Sequence, residues 1–427
     1  SCVPMQANVG PGCPWLRLGV LSYGDVVLRG AILIPTLQDP FGLLTPSDAA
    51  AKMSTTPATT LHDHDNRAHP DVAPAEIAVG VMIGRASEYF DFFVFGIASA
   101  LVFPEVYFSF AASPYQGTMY AFMVFALAFI ARPFGAVRGM NIQWRWGRGV
   151  KLTSALFLLG TATAGIAFLP SYAKIGTAAI VLLMLLRLLQ GLAQGASWDG
   201  LTSLLALHAP KERRGWYAML GQLGAPLGFV VAACLYSYLS ASLTHEDFID
   251  WGWRYPFFAA FAINVVALFA RLRLVVAKEY EQEMSHLELE PVDVAELWRE
   301  RGRFVVIGAF ASLASYALFH VVTIFPISWV RLFTDESVPK FLLLQAVGGV
   351  ISAGGIVASG LLADRIGRTR TLGTLAVAIA IFSILAPTLV MGGGVMGQVV
   401  YILVGFLLLG LSYGQASGTA AANLGQR

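Results

Sequence analysis

Gly360-Leu361-Leu362-Ala363-Asp364-Arg365-Ile366-Gly367-Arg368-Thr369-Arg370 joins two long apolar runs through a short charged turn. A worn copy, Trp144-Arg145-Trp146-Gly147-Arg148-Gly149-Val150-Lys151, lies far upstream between another apolar pair. Two such turns in corresponding places mark a chain made of two parallel halves, an architecture common among membrane carriers. The downstream turn reads as a gate, not a binding site. Gly360 and Gly367 permit a tight turn, and Asp364 can accept hydrogen bonds at another helix's N-terminus or pair with Arg213, Arg214 or a local arginine.

Composition agrees. Hydrophobic residues make up 56 % of the 427 and charged residues 13 %, and the mean hydropathy is +0.66, so lipid is the expected solvent. The net charge of +2 leaves no nucleic-acid footprint, because Lys and Arg sit in short connections instead of on one basic face. Cys2 and Cys13 fall in a leader and Cys234 in an apolar run, so neither a disulfide framework nor a zinc spacing exists. Cys234 is expected to face lipid or to pack. His62, His64 and His69 occupy a polar segment whose composition favours disorder over metal binding.

Residues 1–52 read as a spurious or disordered leader, with Met53 as the expected initiator, and 53–75 as a disordered tail. Ten segments then have the length and apolarity of membrane spans: 77–103, 115–137, 151–169, 175–207, 215–242, 254–274, 304–331, 339–362, 371–391 and 397–417. They group as a six-helix bundle, 76–274, a central polar loop, 275–302, and four further helices, 303–427. Arg138, Arg145, Arg148 and Lys151, then Lys211, Arg213 and Arg214, then Arg299, Arg301 and Arg303, then Arg365, Arg368 and Arg370 fall in alternate connections. That side, and the N-terminus with it, is expected in the cytoplasm.

Three charges interrupt the first span. Arg85, Glu88 and Asp91 recur every third residue, within about 120° on a regular helix. An ionisable group at bilayer depth costs at least about 2.5 kcal/mol, so the three must face a wet cavity or partners. They are candidates for proton and substrate handling, with a structural Arg85–Glu88 pair as the simpler alternative. In the fourth span Arg187, Gln190, Gln194 and Ser197 share one face within about 80°. Arg187 can fork onto a substrate carboxylate or neutralise an acid of the first span. Asp199 points elsewhere on the same wheel. Gln222 lies in a Gly/Pro-rich stretch suited to bending and close packing, and can also serve as a cavity donor. His320 reads as a packing histidine or a proton shuttle.

The string Arg85-Ala86-Ser87-Glu88-Tyr89-Phe90-Asp91-Phe92-Phe93-Val94-Phe95-Gly96 resembles the first-helix signature of the metabolite:proton symporters of the major facilitator superfamily. The likeness continues through Ala131-Arg132-Pro133-Phe134-Gly135, Arg187-Leu188-Leu189-Gln190-Gly191, His208-Ala209-Pro210, Arg213-Arg214-Gly215, Gly221-Gln222-Leu223-Gly224-Ala225-Pro226 and Trp251-Gly252-Trp253-Arg254-Tyr255-Pro256-Phe257. The resemblance implies twelve helices in two bundles, alternating access, and uptake of small organic acids, betaines or related metabolites with protons. It adds Tyr89 to the binding candidates, and Arg132, Arg148, Arg213, Arg214, Gly360, Asp364, Arg365, Gly367 and Arg368 to the cytoplasmic gate. Trp144 stands where the family has an aspartate latch, and Gly195-Ala196-Ser197-Trp198-Asp199-Gly200 where it has Gly-Gly-Glu-Trp-Gly-Gly. The chain reaches Arg427 after the tenth helix, so a shortened second bundle, six plus four helices of six plus six, is expected.

The reading is therefore an all-α integral membrane protein of the major facilitator fold. The expected activity is proton-coupled symport of a small metabolite across the bacterial inner membrane, by a monomer, with no cofactor beyond the proton gradient. Efflux or uniport by the same fold and a non-transporting fragment are the alternatives. No phosphate loop, metal set or Ser-His-Asp constellation points to an enzyme.

Overall fold

Two glycines at positive φ turn the two halves in the same way. Gly147 (φ 85°, ψ 169°) and Gly367 (φ 88°, ψ 143°) each separate one long helix from the next within a residue or two. A residue with a Cβ adopts that backbone only under strain. The repeat seen in the sequence is thus also a repeat in the backbone.

The structure, a computed structural model, describes residues 74–197, 214–275, 294–392 and 394–424. Its long helices are α1 (Pro74–Leu101), α2 (Pro114–Gly147), α3 (Gly149–Phe168), α4 (Thr177–Ala196) and α5, whose parts Arg214–Leu220 and Gly224–Ser242 flank the 3₁₀ turn Gly221–Leu223. Then come α6 (Tyr255–Val275), α7 (Val294–Thr323, resuming as Phe325–Phe333), α8 (Val338–Ile366), α9 (Arg368–Met391) and α10 (Gly394–Leu424). No strand occurs among the described residues. Nine helices in that set are long and apolar enough to cross a membrane. Helix α1 is not among them, because every window of the required length contains Arg85, Glu88 and Asp91.

Several boundaries differ from those expected. Helix α2 runs ten residues past the anticipated end at 137, through Arg138, Asn141, Gln143 and Arg145, to Gly147. Those polar residues look like a loop, but a helix satisfies its backbone internally and continues in water once nucleated. Its last turns carry exposed Trp144 and Trp146. Helix α7 starts at Val294, not 304, and is interrupted at Ile324 just ahead of Pro326, whose ring nitrogen has no hydrogen to give. The first span stops at Leu101, and Pro104 sits in a separate short helix, Phe103–Val106. The described part of the fourth span ends at Ser197; residues 198–213 lie outside the described residues, as do the leader, the tail and most of the central loop.

Small residues set the interhelical spacing. A Cβ on Gly195 of α4 would lie 2.1 Å from the Arg132 carbonyl of α2, and a Cβ on Gly410 of α10 would lie 2.2 Å from the Ser352 carbonyl of α8. Close approach of this kind is how helices associate in lipid, where no hydrophobic force separates helix from tail. Helix α6 fills the groove between α1 and α3 in the first half, with Asn264 accepting from Ser87 Oγ at 2.6 Å. In the second half the corresponding groove between α7 and α9 is an apolar cleft of about 620 Å³, lined by Leu318, Val321, Phe382 and Tyr401 among others.

The halves meet at both ends and in the middle. At the basic end Asp364 Oδ2 accepts from the Trp216 backbone N–H at 3.1 Å. At the opposite end Arg331 pairs with Glu105 and donates to the Ala100 carbonyl at 3.0 Å, while His245 reaches Glu105 at 3.0 Å. Between them the hydroxyls of Tyr89 and Tyr413 are hydrogen-bonded, and Ser237 donates to the Pro339 carbonyl at 2.7 Å.

Candidate functional site

The site begins on α1, whose helical register places Arg85, Glu88 and Asp91 on successive turns of one face. Arg85 Nη1 donates to Glu88 Oε2 at 2.9 Å, and Glu88 Oε1 accepts from Ser197 Oγ at 3.1 Å, so the acid ties α1 to the C-terminal end of α4. Asp91 is buried at 1 % exposure. Its Oδ1 contacts Thr163 Oγ1 of α3, and its Oδ2 is reached by Gln190 Nε2 of α4 at 3.4 Å.

Arg187 and Gln190 lie one turn apart on α4. Arg187 Nη1 donates to Gln190 Oε1 at 3.0 Å and Nε to the Phe125 carbonyl at 3.3 Å. Its guanidinium sits 3.9 Å from the centre of the Phe95 ring and 4.8 Å from that of Phe125, a cation–π arrangement available where water is excluded. One nitrogen, Nη2, is buried without a hydrogen-bond partner. Gln190 spans the cluster: its carbonyl takes Arg187, and its amide nitrogen gives to Asp91 and, at 2.9 Å, to Thr163. The four-residue face of α4 therefore turns toward α1, α2 and α3.

Gln194 and Arg132 complete the face. Arg132 Nε and Nη2 both donate to Gln194 Oε1, at 3.1 and 2.6 Å. Arg132, which the resemblance puts at the cytoplasmic gate, has its guanidinium 5.5 Å from the Phe92 ring centre and 5.1 Å from that of Phe129. Arg132 lies well short of Gly147, on the stretch of α2 that packs closely on Gly195. The second half supplies a wall. His320 packs against Phe92, Phe125, Phe129 and Phe319, and Tyr89 contacts Phe319 and Tyr413, which in turn meets Tyr316.

Gln222 is buried in the 3₁₀ turn of α5, where Gly224 and Gly228 bring that helix against the backbone of α1. Of the gate residues, Gly367 makes the turn at the end of α8, Gly360 is buried in α8, and Asp364 and Arg365 are exposed. Asp199 and Arg213 lie outside the described residues, as do the side chains of Arg148, Arg214 and Arg368. Cys234 is exposed on an apolar helix. No group of three or more His, Cys, Asp or Glu suited to a metal occurs among the described residues.

Sequence reasoning missed Thr163, Asn264, Tyr316 and Tyr413. Asn264 carried a usable signal, a lone amide in a long apolar run, since such a group needs a partner in lipid. A threonine in α3 carried none.

A family model described as Major Facilitator Superfamily matches residues 81–427. Over 366 residues the chain is 33 % identical to the inner membrane metabolite transport protein YhjE of Escherichia coli (strain K12), covering 84 % of this chain and 82 % of that one. It is 34 % identical over 299 residues to the shikimate transporter of the same organism, with 69 % and 67 % covered. The proline/betaine transporter of Salmonella typhimurium is 26 % identical over 354 residues, with 80 % of this chain and 69 % of that one covered. Among solved structures, the proton:xylose symporter XylE bound to 6-bromo-6-deoxy-D-glucose superposes with a TM-score of 0.62 at 18 % identity over 81 % of each chain, a likeness of fold.

Proposed function

This chain belongs to the Major Facilitator Superfamily, and we propose that it is a proton-coupled symporter that takes up a small organic acid, betaine or related metabolite by alternating access. It is a membrane transporter and not an enzyme. Its relatives' names support the cargo class, and the basic connections support a bacterial inner-membrane placement with the N-terminus in the cytoplasm. It works as a monomer, with the proton gradient as its only driving force and no cofactor.

The observation that carries the coupling is the hydrogen count at Asp91. Thr163 Oγ1 lies within bonding reach of three groups: Asp91 Oδ1, the Leu159 carbonyl at 2.9 Å and Gln190 Nε2 at 2.9 Å. Gln190 is a donor there, and the hydroxyl has a single hydrogen to give. With Asp91 ionised, that hydrogen goes to the carboxylate. With Asp91 protonated, the acid gives its own hydrogen to Thr163, which turns to Leu159. Both charge states are satisfied without moving a heavy atom, so a proton can be loaded and unloaded at a site buried from water. Gln190 then links the event to Arg187, and Glu88 to Ser197 at the end of α4.

The test is uptake of labelled metabolites into proteoliposomes with an imposed pH gradient, with and without an uncoupler. Accumulation that collapses with the uncoupler, and is lost in Asp91→Asn while solute exchange persists, is the expected result. Uncoupler-insensitive equilibration indicates uniport and rejects the proposal, as does full accumulation by Asp91→Asn. Outward pumping selects efflux.

A further inference from the structure

Among the described residues of the first half the charges around Phe92 do not cancel. Three guanidiniums, Arg85, Arg132 and Arg187, share this interior with two described carboxylates, Glu88 and Asp91. Arg85 is paired with Glu88 at 2.9 Å, and Asp91 is linked to Arg187 through Gln190. Arg132 forms no ion pair among the described residues; it gives two hydrogen bonds to the neutral carbonyl of Gln194 and rests on two phenylalanine rings. Protonation of Asp91 would leave the cluster more positive still. A half-buried cation with no counter-ion among the described residues is costly, and an anionic solute would supply one.

The hydrogen-bond inventory points the same way. Two bonds from Arg132 fix the Gln194 amide with its oxygen toward the guanidinium. Its nitrogen is thereby left as a buried donor with no acceptor. Arg187 Nη2 is a second such donor, and the Arg132 and Arg187 guanidiniums lie 5.5 and 6.0 Å from the same Phe92 ring centre. Orphan donors and surplus positive charge around one ring ask for acceptor-only oxygens, which a carboxylate has. Arg132 and Gln194 are half-buried, and Tyr316 of the facing wall is 46 % exposed, so a solute can approach.

We propose that Arg132, Gln194 and the unpartnered Nη2 of Arg187 form a receptor for the carboxylate of a net-anionic solute, and that this surplus of positive charge disfavours betaines. The proposal rests on the transporter reading and narrows its cargo to one of the two classes left open. A betaine brings its own cation into a cluster that already holds one too many, and the rings beside it, Phe92 and Phe129, already carry Arg132. The aromatic wall of Tyr89, Phe319, His320 and Tyr413 suits a compact cyclic or planar body.

Thermal unfolding of the purified full chain tests this, because a ligand that binds the native state raises the midpoint. The probes are a hydroxylated cyclohexenecarboxylate, its uncharged carboxamide and glycine betaine. Stabilisation by the acid alone is expected, with affinity falling at least about tenfold in Arg132→Gln and less in Arg132→Lys, which keeps the charge but loses the fork. If Arg132→Gln does not fold, the comparison of acid with carboxamide on the unaltered protein still decides. Stabilisation by betaine or carboxamide equal to that by the acid, no stabilisation by any of several monocarboxylates, or unchanged acid affinity in Arg132→Gln overturns the proposal. Acid selectivity together with uncoupler-insensitive transport would sink the proton-coupled reading while leaving this receptor intact.

Discussion

Among the described residues, the buried side chains from α1 to α6 include Glu88, Asp91, Lys151 and Arg187, whereas from α7 to α10 the buried polar residues are uncharged, among them Thr323, Gln345, Ser352, Ser359 and Gln398. Both halves share the same turns at Gly147 and Gly367 and the same close glycine packing. They differ in what is stored inside. Charge in lipid is expensive and tends to be kept where it acts, so the proposed coupling puts ion handling in the first bundle and makes the second a wall against which it rocks. The same contrast holds for filling: α6 occupies the groove between α1 and α3, and the groove between α7 and α9 is an open apolar cleft.

Paired substitutions can break this contrast. Asp91→Asn is expected to abolish gradient-driven accumulation, whereas Gln345→Leu, which removes two hydrogen bonds to the Val322 and Thr323 carbonyls, leaves coupling intact and lowers stability by about 1–3 kcal/mol. Loss of coupling in the second variant would end the division of labour. Arg187→Leu should come next in size, destabilising by about 3–5 kcal/mol because the charge of Asp91 loses its nearby cation, a change read as a lower unfolding midpoint.

The packing contacts provide a control on which both halves should behave alike. Gly195→Val and Gly410→Val force carbonyls apart in corresponding helix pairs and should each cost about 1–3 kcal/mol, while Gly354→Ala, whose Cβ meets open space, should be neutral or slightly stabilising. The smallest effects on stability belong to the two closures. Glu105→Gln and Asp364→Asn should each change unfolding by no more than about 1 kcal/mol, because these groups are partly or largely exposed. They should nevertheless shift the conformational balance in opposite directions, Asp364→Asn toward inward-facing and Glu105→Gln toward outward-facing forms. Cysteine probes placed at each end read the shift, and equal accessibility in both variants would remove the gating role of these contacts.

Much of this was legible in the sequence, and the reasons are physical. Apolar run length picks out nine of the ten long helices among the described residues, because the bilayer sets a minimum, and three-residue spacing fixes which side chains of α1 and α4 share a face. The Arg85–Glu88 pair follows from that spacing alone. Contacts between helices do not. Thr163 sits in α3 among residues that give it no pattern, and it matters only because α3 brings it against Asp91. Arg132 enters the gate set only through the family resemblance; its partners Gln194 and Phe92 come from other helices and leave no pattern in its own run. Helix ends beyond the membrane leave no hydrophobic trace to read.

That extra length has a consequence of its own. The 34 residues of α2 reach about 50 Å, against roughly 30 Å of hydrocarbon, and even strong tilt does not absorb the difference. The surplus carries the exposed indoles of Trp144 and Trp146 past the apolar run that ends near 137, toward the membrane–water boundary that such rings favour. Rings that resist both hydrocarbon and open water are expected to keep the α2–α3 hairpin at a steady height, a float line for the rest of the bundle.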